Sequence, residues 1–277
     1  MQGGFPIAKQ ETITYTESLR ISLSMVKNWS EFHTLLESPA PHVALLDMQR
    51  RGTLQEWLPE VHVLFGVPQP PEHHPEIDTG VHTLLVVEQA ARLSGQDPRV
   101  VFAALLHDLG KGLTPPDVWP KHTDHETNGV PLVDAVCDRL GVPDDYRKLA
   151  VLVCEYHLHS HRLFEMRPGS AIQWMEKTGL LQDSDLRRRF FQSCEADARG
   201  RTGFEHREYL GPLLAEKIAE VANGVTDEPT RERWLGTAIS AVKKHYAPYH
   251  DKENVKAVVR QYNGMAAPSN YGEAPAC

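Results

Sequence analysis

The run Val100-Val-Phe-Ala-Ala-Leu-Leu-His-Asp-Leu-Gly-Lys-Gly112 decides how this chain is read. Asp97-Pro98 precedes it, a pair that opens helices. The aspartate caps free backbone N–H groups, and proline suits the first turn, where no N–H is needed. Apolar residues then fill every position to Leu106, so the predicted helix, Arg99 to about Leu109, is buried all round. It stops at Gly110-Lys-Gly112, with His107 and Asp108 as its polar end. Burying an aspartate there is costly unless it is paired or bound to a cation. Adjacent helix side chains point about 100° apart, yet from a helix end both can reach one ion.

Working outward, Asp78-Thr79 caps another helix, with apolar residues at Val81, Leu84, Leu85, Val87, Ala91 and Leu93. His82 lies one turn into it. The stretch Val67-Pro-Gln-Pro-Pro-Glu-His-His-Pro75 before it cannot be helical. Upstream, Thr16 to about Arg51 has helical spacing, split by Pro39 and Pro41. Downstream, Pro115, Pro116 and Pro120 mark a loop. Helices are then predicted over Asp124–Leu140, Asp144–His161, Gly169–Gly179, Asp183–Ala198, Leu210–Val221 and Glu228–His245. Strand alternation is scarce, so the fold class is all-α. The expected organisation is a loose N-terminus (1–15), a helical neck-like extension (16–60), one helical domain (61–262) and a disordered tail (263–277) rich in Ala, Pro, Ser and Gly.

With 29 basic and 37 acidic residues the net charge is −8, which argues against a protein that coats nucleic acid nonspecifically. A local basic pocket for one phosphate remains compatible with it. The four cysteines, Cys137, Cys154, Cys194 and Cys277, form no C-x-x-C pair, so neither a zinc knuckle nor a redox dithiol is expected. Free thiols suit a reducing cytoplasm. The opening residues lack a basic segment followed by an apolar one, and no apolar run reaches membrane-spanning length. The expected location is therefore cytoplasmic, with no membrane partner. The 15 histidines are the unusual number. Many histidines are plain surface residues, but histidine is also the commonest metal ligand.

His82, His107, Asp108 and Asp197 stand out as a metal set. Two imidazoles and two carboxylates suit Mn²⁺, Fe²⁺, Co²⁺, Ni²⁺ or Zn²⁺ and can accept Mg²⁺. A lone His-Asp pair carries little weight, and His82 alone reads as a core histidine. The case strengthens because Leu-Gly-Lys-Gly112 follows, putting a helix end, two glycines and a cation beside the pair. Lys111 is placed to meet a phosphate oxygen, although a lysine there also serves the helix dipole.

This His82…His107-Asp108…Asp197 pattern resembles the H…HD…D signature of the HD superfamily of metal-dependent phosphohydrolases. Leu64-Phe-Gly-Val-Pro-Gln-Pro70, His74-Pro-Glu-Ile-Asp-Thr-Gly-Val-His82, Phe102 to Pro115 and Glu195-Ala-Asp-Ala-Arg-Gly-Arg-Thr-Gly-Phe204 look like the C-terminal HD region of the bacterial multifunctional CCA protein family. That family joins a tRNA nucleotidyltransferase to an HD domain. The resemblance implies an HD-domain helical bundle with a short helical N-terminal extension, and His82, His107, Asp108 and Asp197 as ligands of a divalent metal. It implies that His125, His157 and His161 line a phosphate pocket or bind a second metal, while His122 and His159 are left as surface residues. Arg199 and Arg201 are expected to meet phosphate or ribose. In the expected chemistry Asp108 orients the attacking water. Lys111, His125 and His157 steady the nonbridging oxygens or protonate the leaving group.

The departure concerns the nucleotidyltransferase head, whose Gly-Gly turn leads to an Asp-x-Asp pair on a strand. Here Gly3-Gly4 stands alone, and Asp183-Ser184-Asp185 opens a helix, so CCA addition is expected to be absent. What remains implied is hydrolysis of 2′,3′-cyclic nucleotides, 2′-nucleotides and small phosphomonoesters, with a small nucleotide or an RNA or tRNA 3′ end as substrate. A 5′-deoxynucleotidase or other nucleotide-clearing HD enzyme, and a non-catalytic module that binds tRNA or a partner, are the rival readings. Apolar residues from Leu19 to Leu58 are expected to pair two copies through the N-terminal helices or to fold back on the domain.

Overall fold

The computed structural model describes residues 28–224 and, beyond them, Pro229, Arg233 and Gly236, which are helical. The expected loose N-terminus, disordered tail and Cys277 lie outside the described residues, as do the start of the neck and nearly all of the helix expected at 228–245. Within them the fold is all-helical, without a β-strand; one isolated antiparallel bridge joins Pro68 to Asp78. The helices are α1 (Trp29–Leu36), α2 (Pro41–Arg50), α3 (Thr53–Trp57), α4 (Pro59–His62), α5 (Thr79–Ser94), α6 (Pro98–Leu106), α7 (His125–Leu140), α8 (Asp144–His161), α9 (Pro168–Lys177), α10 (Ser184–Arg199) and α11 (Gly211–Gly224). None is long and apolar enough to cross a membrane.

Helix α6 is the axis of the core. Every residue from Val100 to Leu106 is inaccessible, because α5, α8 and α10 pack around it and α1 closes another side. Asp97 caps it, accepting from the backbone N–H of Arg99 at 3.0 Å. Asp78 and Asp183 cap α5 and α10 in the same manner.

The end of α6 differs from expectation. The α-helix stops at Leu106, with His107 as its cap, and a 3₁₀ helix, Leu109–Leu113, carries the chain onward. The glycines give the reason. The 3₁₀ helix lies so close to α7 that a Cβ at Gly110 would run into the His125 carbonyl. That contact brings His125 up to Asp108.

The N-terminal helices do not stand apart. Phe32, Leu36, Leu45, Met48, Leu54 and Trp57 are buried in the same continuous core as α5 and α6. Trp29 and Phe32 set their rings against Phe102 of α6 at 5.3 and 6.3 Å between centroids. The apolar surface of residues 28–58 is thus largely covered by the chain itself.

Candidate metal centre

Five helices deliver polar side chains to one end of the bundle. His82 sits one turn into α5, on the buried stripe that continues through Val86 and Ala90. His107 and Asp108 follow the last residue of α6, and His125 opens α7. His157 and His161 stand one turn apart at the end of α8. Asp197 prolongs the buried stripe of Phe190 and Cys194 along α10. The local reason is the same each time: an apolar stripe runs to the helix end, and its last position is a ligand-type residue.

Across more than a hundred residues of sequence, these groups meet. His82 Nε2 lies 3.1 Å from Asp197 Oδ1 and 3.9 Å from Asp108 Oδ2. His107 Nε2 lies 3.1 Å from Asp108 Oδ2 and 3.8 Å from Asp197 Oδ1. His161 Nε2 reaches the other oxygen of Asp197 at 2.7 Å. Asp108 turns its second oxygen the other way, 3.3 Å from His125 Nε2 and 3.7 Å from His157 Nε2. Two groups of donors result, His82/His107/Asp197 and Asp108/His125/His157, the donor atoms of each within 4.8 Å of one another. Asp108 stands between them with one oxygen toward each.

The imidazole tautomers follow from the backbone. Nδ1 of His107 faces the Ala104 carbonyl at 2.7 Å, Nδ1 of His125 the His122 carbonyl at 2.7 Å, and Nδ1 of His157 the Val153 and Cys154 carbonyls at 3.1 and 3.2 Å. His82 Nδ1 faces the Gly200 carbonyl at 3.0 Å. A carbonyl only accepts, so Nδ1 carries a proton in each ring, and with a cation at the centre the Nε2 lone pair would point to it; without one, His82 Nε2 carries a second proton and donates to Asp197 Oδ1 at 3.1 Å. His107 Nε2, His125 Nε2 and Asp108 Oδ1 are buried without a hydrogen-bond partner. Lone pairs left facing one another in the interior are costly, and a divalent cation is the group that satisfies them. The donor set therefore fits a metal.

Electrostatics agree. Burial raises Asp108, but the charges of His107 and Lys111 hold it well below the carboxylate range. Burial likewise raises Asp197, and hydrogen bonds from His161 and His82 hold it well below that range. Burial pushes His157 down to about 3, which keeps its imidazole neutral. The C-terminal ends of α6, α8 and α10 add partial negative charge at the same place.

Lys111 is buried rather than open to solvent. Its Nζ donates to Asp108 Oδ2 at 2.6 Å and to Gln69 Oε1 at 2.5 Å, using two of its three N–H bonds. Arg201 stands beside Asp197, 3.8 Å from Oδ1. Arg199 instead pairs with Glu195 at 2.5 Å, and both arginines line a cavity of about 310 Å³ along the outer face of α5, with Leu85, Glu88, Gln89 and Arg92. His159 is exposed as expected, but His122 is not a free surface residue. It is half-buried, bridging Thr114 Oγ1 at 3.0 Å and the Pro68 carbonyl at 2.9 Å.

Sequence reasoning passed over three residues that crowd this centre: Gln69, His74 and Glu76. They sit in the proline-rich loop, where no periodicity marks a buried position. Glu76 nonetheless has a side chain only 2% exposed, between His74 and His82. Burial raises it, and hydrogen bonds from those two histidines hold it well below the carboxylate range. The one available signal was that the loop runs straight into the cap of α5, so whatever it carries lies near His82.

The HD domain family matches residues 79–187 of this chain. The chain is also similar to proteins named multifunctional CCA protein. With that of Methylococcus capsulatus it shares 49% identity over 208 residues, which is 75% of this chain and 49% of the relative. With that of Pseudomonas aeruginosa it shares 44% over 243 residues, 84% of this chain and 57% of the relative. With that of Hahella chejuensis it shares 38% over 256 residues, 87% and 60%. The chain thus spans about half the length of the curated relatives it matches.

Proposed function

This chain carries an HD domain, a metal-dependent phosphohydrolase domain, and from that premise we propose that it hydrolyses phosphoester bonds of nucleotides, as a 2′,3′-cyclic phosphodiesterase, 2′-nucleotidase and phosphatase. Its substrates are small nucleotides or the 3′ ends of RNA. The observation that carries this reading is Asp108, buried between two sets of imidazoles with an oxygen toward each. His82, His107, Asp108 and Asp197 hold one divalent cation; Asp108 also faces His125 and His157, which hold a second. Bound there, such cations supply an activated water near neutral pH and polarise the phosphoryl oxygen.

The chain's own residues do the rest. The backbone carbonyls behind each Nδ1 keep the Nε2 lone pairs aimed inward, so the donor set forms without rearrangement. Asp108 orients the attacking water. Lys111, fixed by Asp108 and Gln69, keeps its third N–H for a nonbridging phosphate oxygen. Arg201, beside Asp197, holds a second phosphate oxygen or the ribose.

The test is a panel of 2′-, 3′-, 5′- and 2′,3′-cyclic nucleotides assayed with added Ni²⁺, Mn²⁺, Co²⁺, Mg²⁺, Fe²⁺ or Zn²⁺. Turnover of the 2′ and cyclic compounds, lost in His107→Ala, is the expected result. Turnover confined to 5′-deoxynucleotides would transfer the protein to the nucleotide-clearing class. No turnover at all, with His107→Ala indistinguishable from the parent, would leave a binding module.

A further inference from the structure

Glu76 lies outside both donor sets, yet its carboxylate is among the most enclosed in the described chain. Oε1 lies 3.0 Å from His82 Nδ1 and 3.1 Å from His74 Nδ1. Oε2 accepts from the backbone N–H of Thr202 at 3.1 Å. No lysine or arginine pairs with it among the described residues, so N–H donors alone stabilise a buried charge. His107, His125 and His157 rest their Nδ1 on backbone carbonyls of their own helix or the turn before it. His82 differs. Its carbonyl acceptor comes from distant Gly200, and the carboxylate on the same nitrogen, Glu76 at 3.0 Å, is almost fully enclosed and lies outside its helix, whereas the one beside His125 Nδ1, at 3.3 Å, is that of its own helix neighbour Glu126. An ionised acceptor behind an imidazole fixes its tautomer, orients the ring and strengthens the opposite nitrogen as a donor.

We propose that Glu76 is a positioning residue: it holds the Nδ1–H tautomer of His82 and, through the Thr202 N–H, ties the segment after α10 to the start of α5, so that His82 and Asp197 present their donor atoms together. His74 steadies Glu76 from the other side, its ring edge-on to His82 with centroids 4.6 Å apart. The proposal rests on the reading that His82 and Asp197 hold a divalent cation. The three residues His74, Glu76 and His82 also have donor atoms within 4.8 Å of one another. An ion among them would take the Nδ1 proton from His82 and bind both nitrogens of one ring, and the Gly200 carbonyl at 3.0 Å would then face a lone pair. A hydrogen-bonded chain accommodates all of these contacts.

The test uses the full chain and Co²⁺ as the probe. Glu76→Gln is expected to weaken Co²⁺ affinity, read by competition with a chromophoric chelator, by about 10–100-fold. The visible Co²⁺ bands should move, while the metal equivalents bound at saturation stay the same. Glu76→Asp, which keeps the charge, should recover part of the affinity. Unchanged affinity and bands in Glu76→Gln would overturn the proposal, and so would loss of a whole metal equivalent, which would make Glu76 a ligand. If the variant does not fold, the parent protein answers alone. Long-range ¹H–¹⁵N correlation on the Zn²⁺-loaded chain should show His82 protonated at Nδ1, and protonation at Nε2 would overturn the assignment. His107→Ala separates the two levels. If it lacks metal while Glu76→Gln behaves as the parent, only the role of Glu76 falls; if it binds metal normally, the centre and the proposal fall together.

Discussion

Asp108 works as a hinge between two sets of imidazoles, and its two oxygens are not equivalent. Oδ2 receives Lys111 and faces His107, whereas Oδ1 faces His125 and His157 without a hydrogen bond. Asp108→Asn keeps the shape but replaces an acceptor oxygen with a donating NH₂. It is expected to lower hydrolysis on the order of 10²-fold or more, because partners outside the ligand set already cost about 10–100-fold. Metal analysis of the purified variant, set beside its activity on a cyclic nucleotide, checks this: full metal content with full activity would refute it. His82, His107 and Asp108 stood out in the sequence because each ends or interrupts an apolar helical stripe, where a polar residue needs a reason, whereas Asp197 stood out only as the last member of the H…HD…D pattern. Glu76 and Gln69 were not, because a loop offers no period against which a buried residue is conspicuous.

Helix ends place the centre, and two of them can be tested. Asp97 caps α6 and also accepts from Arg189 of α10, with Nε to Oδ2 at 2.8 Å. Burial raises its pKa, but the Arg189 hydrogen bond and the Arg99 backbone N–H bring it below the ordinary value. A lowered folded-state pKa means the stabilisation is complete above the unfolded value, about 3.9, and is lost as pH falls through the folded one. Asp97→Asn keeps a capping oxygen but loses the charge that faces Arg189 and Arg99, so it should be less stable than the parent at pH 7 by under about 1 kcal/mol. Urea unfolding at stepped pH should show the gap narrowing toward pH 3, and a gap that widens on acidification would contradict the account. At the other end of α6, Gly110→Ala must push the 3₁₀ helix away from the His125 carbonyl. The expected cost is about 1–3 kcal/mol, with weaker metal binding because Asp108 and His125 separate. Calorimetry and metal titration of the same sample read both. Helix α6 was placed correctly to within a turn by its apolar run. Its early stop was missed, since close approach of two backbones leaves only glycine as a trace, and glycine also marks ordinary helix ends.

At the scale of the molecule, the N-terminal helices and the metal-bearing helices share one core. Phe32, with 1% of its surface accessible, packs between Trp57 and Phe102. Phe32→Ala should cost about 3–5 kcal/mol, measured by denaturant unfolding, even though it touches none of the metal donors. A cost under about 1 kcal/mol would mean that α1 is dispensable to the fold. Helical spacing disclosed that residues 28–58 had an apolar face. It could not disclose what covers that face, because periodicity describes one helix at a time.

The donors that meet at the centre come from places far apart along the chain: His82 and Asp197 are 115 residues from each other. Closing so long a loop is entropically demanding, and an ion caught early by His107 and Asp108 alone would have little to hold it. Capture of the cation therefore belongs at the end of the folding reaction, after α10 has docked. In a refolding time course, tight metal uptake should lag behind the return of helical circular dichroism, with the ion arresting the finished molecule instead of guiding its assembly.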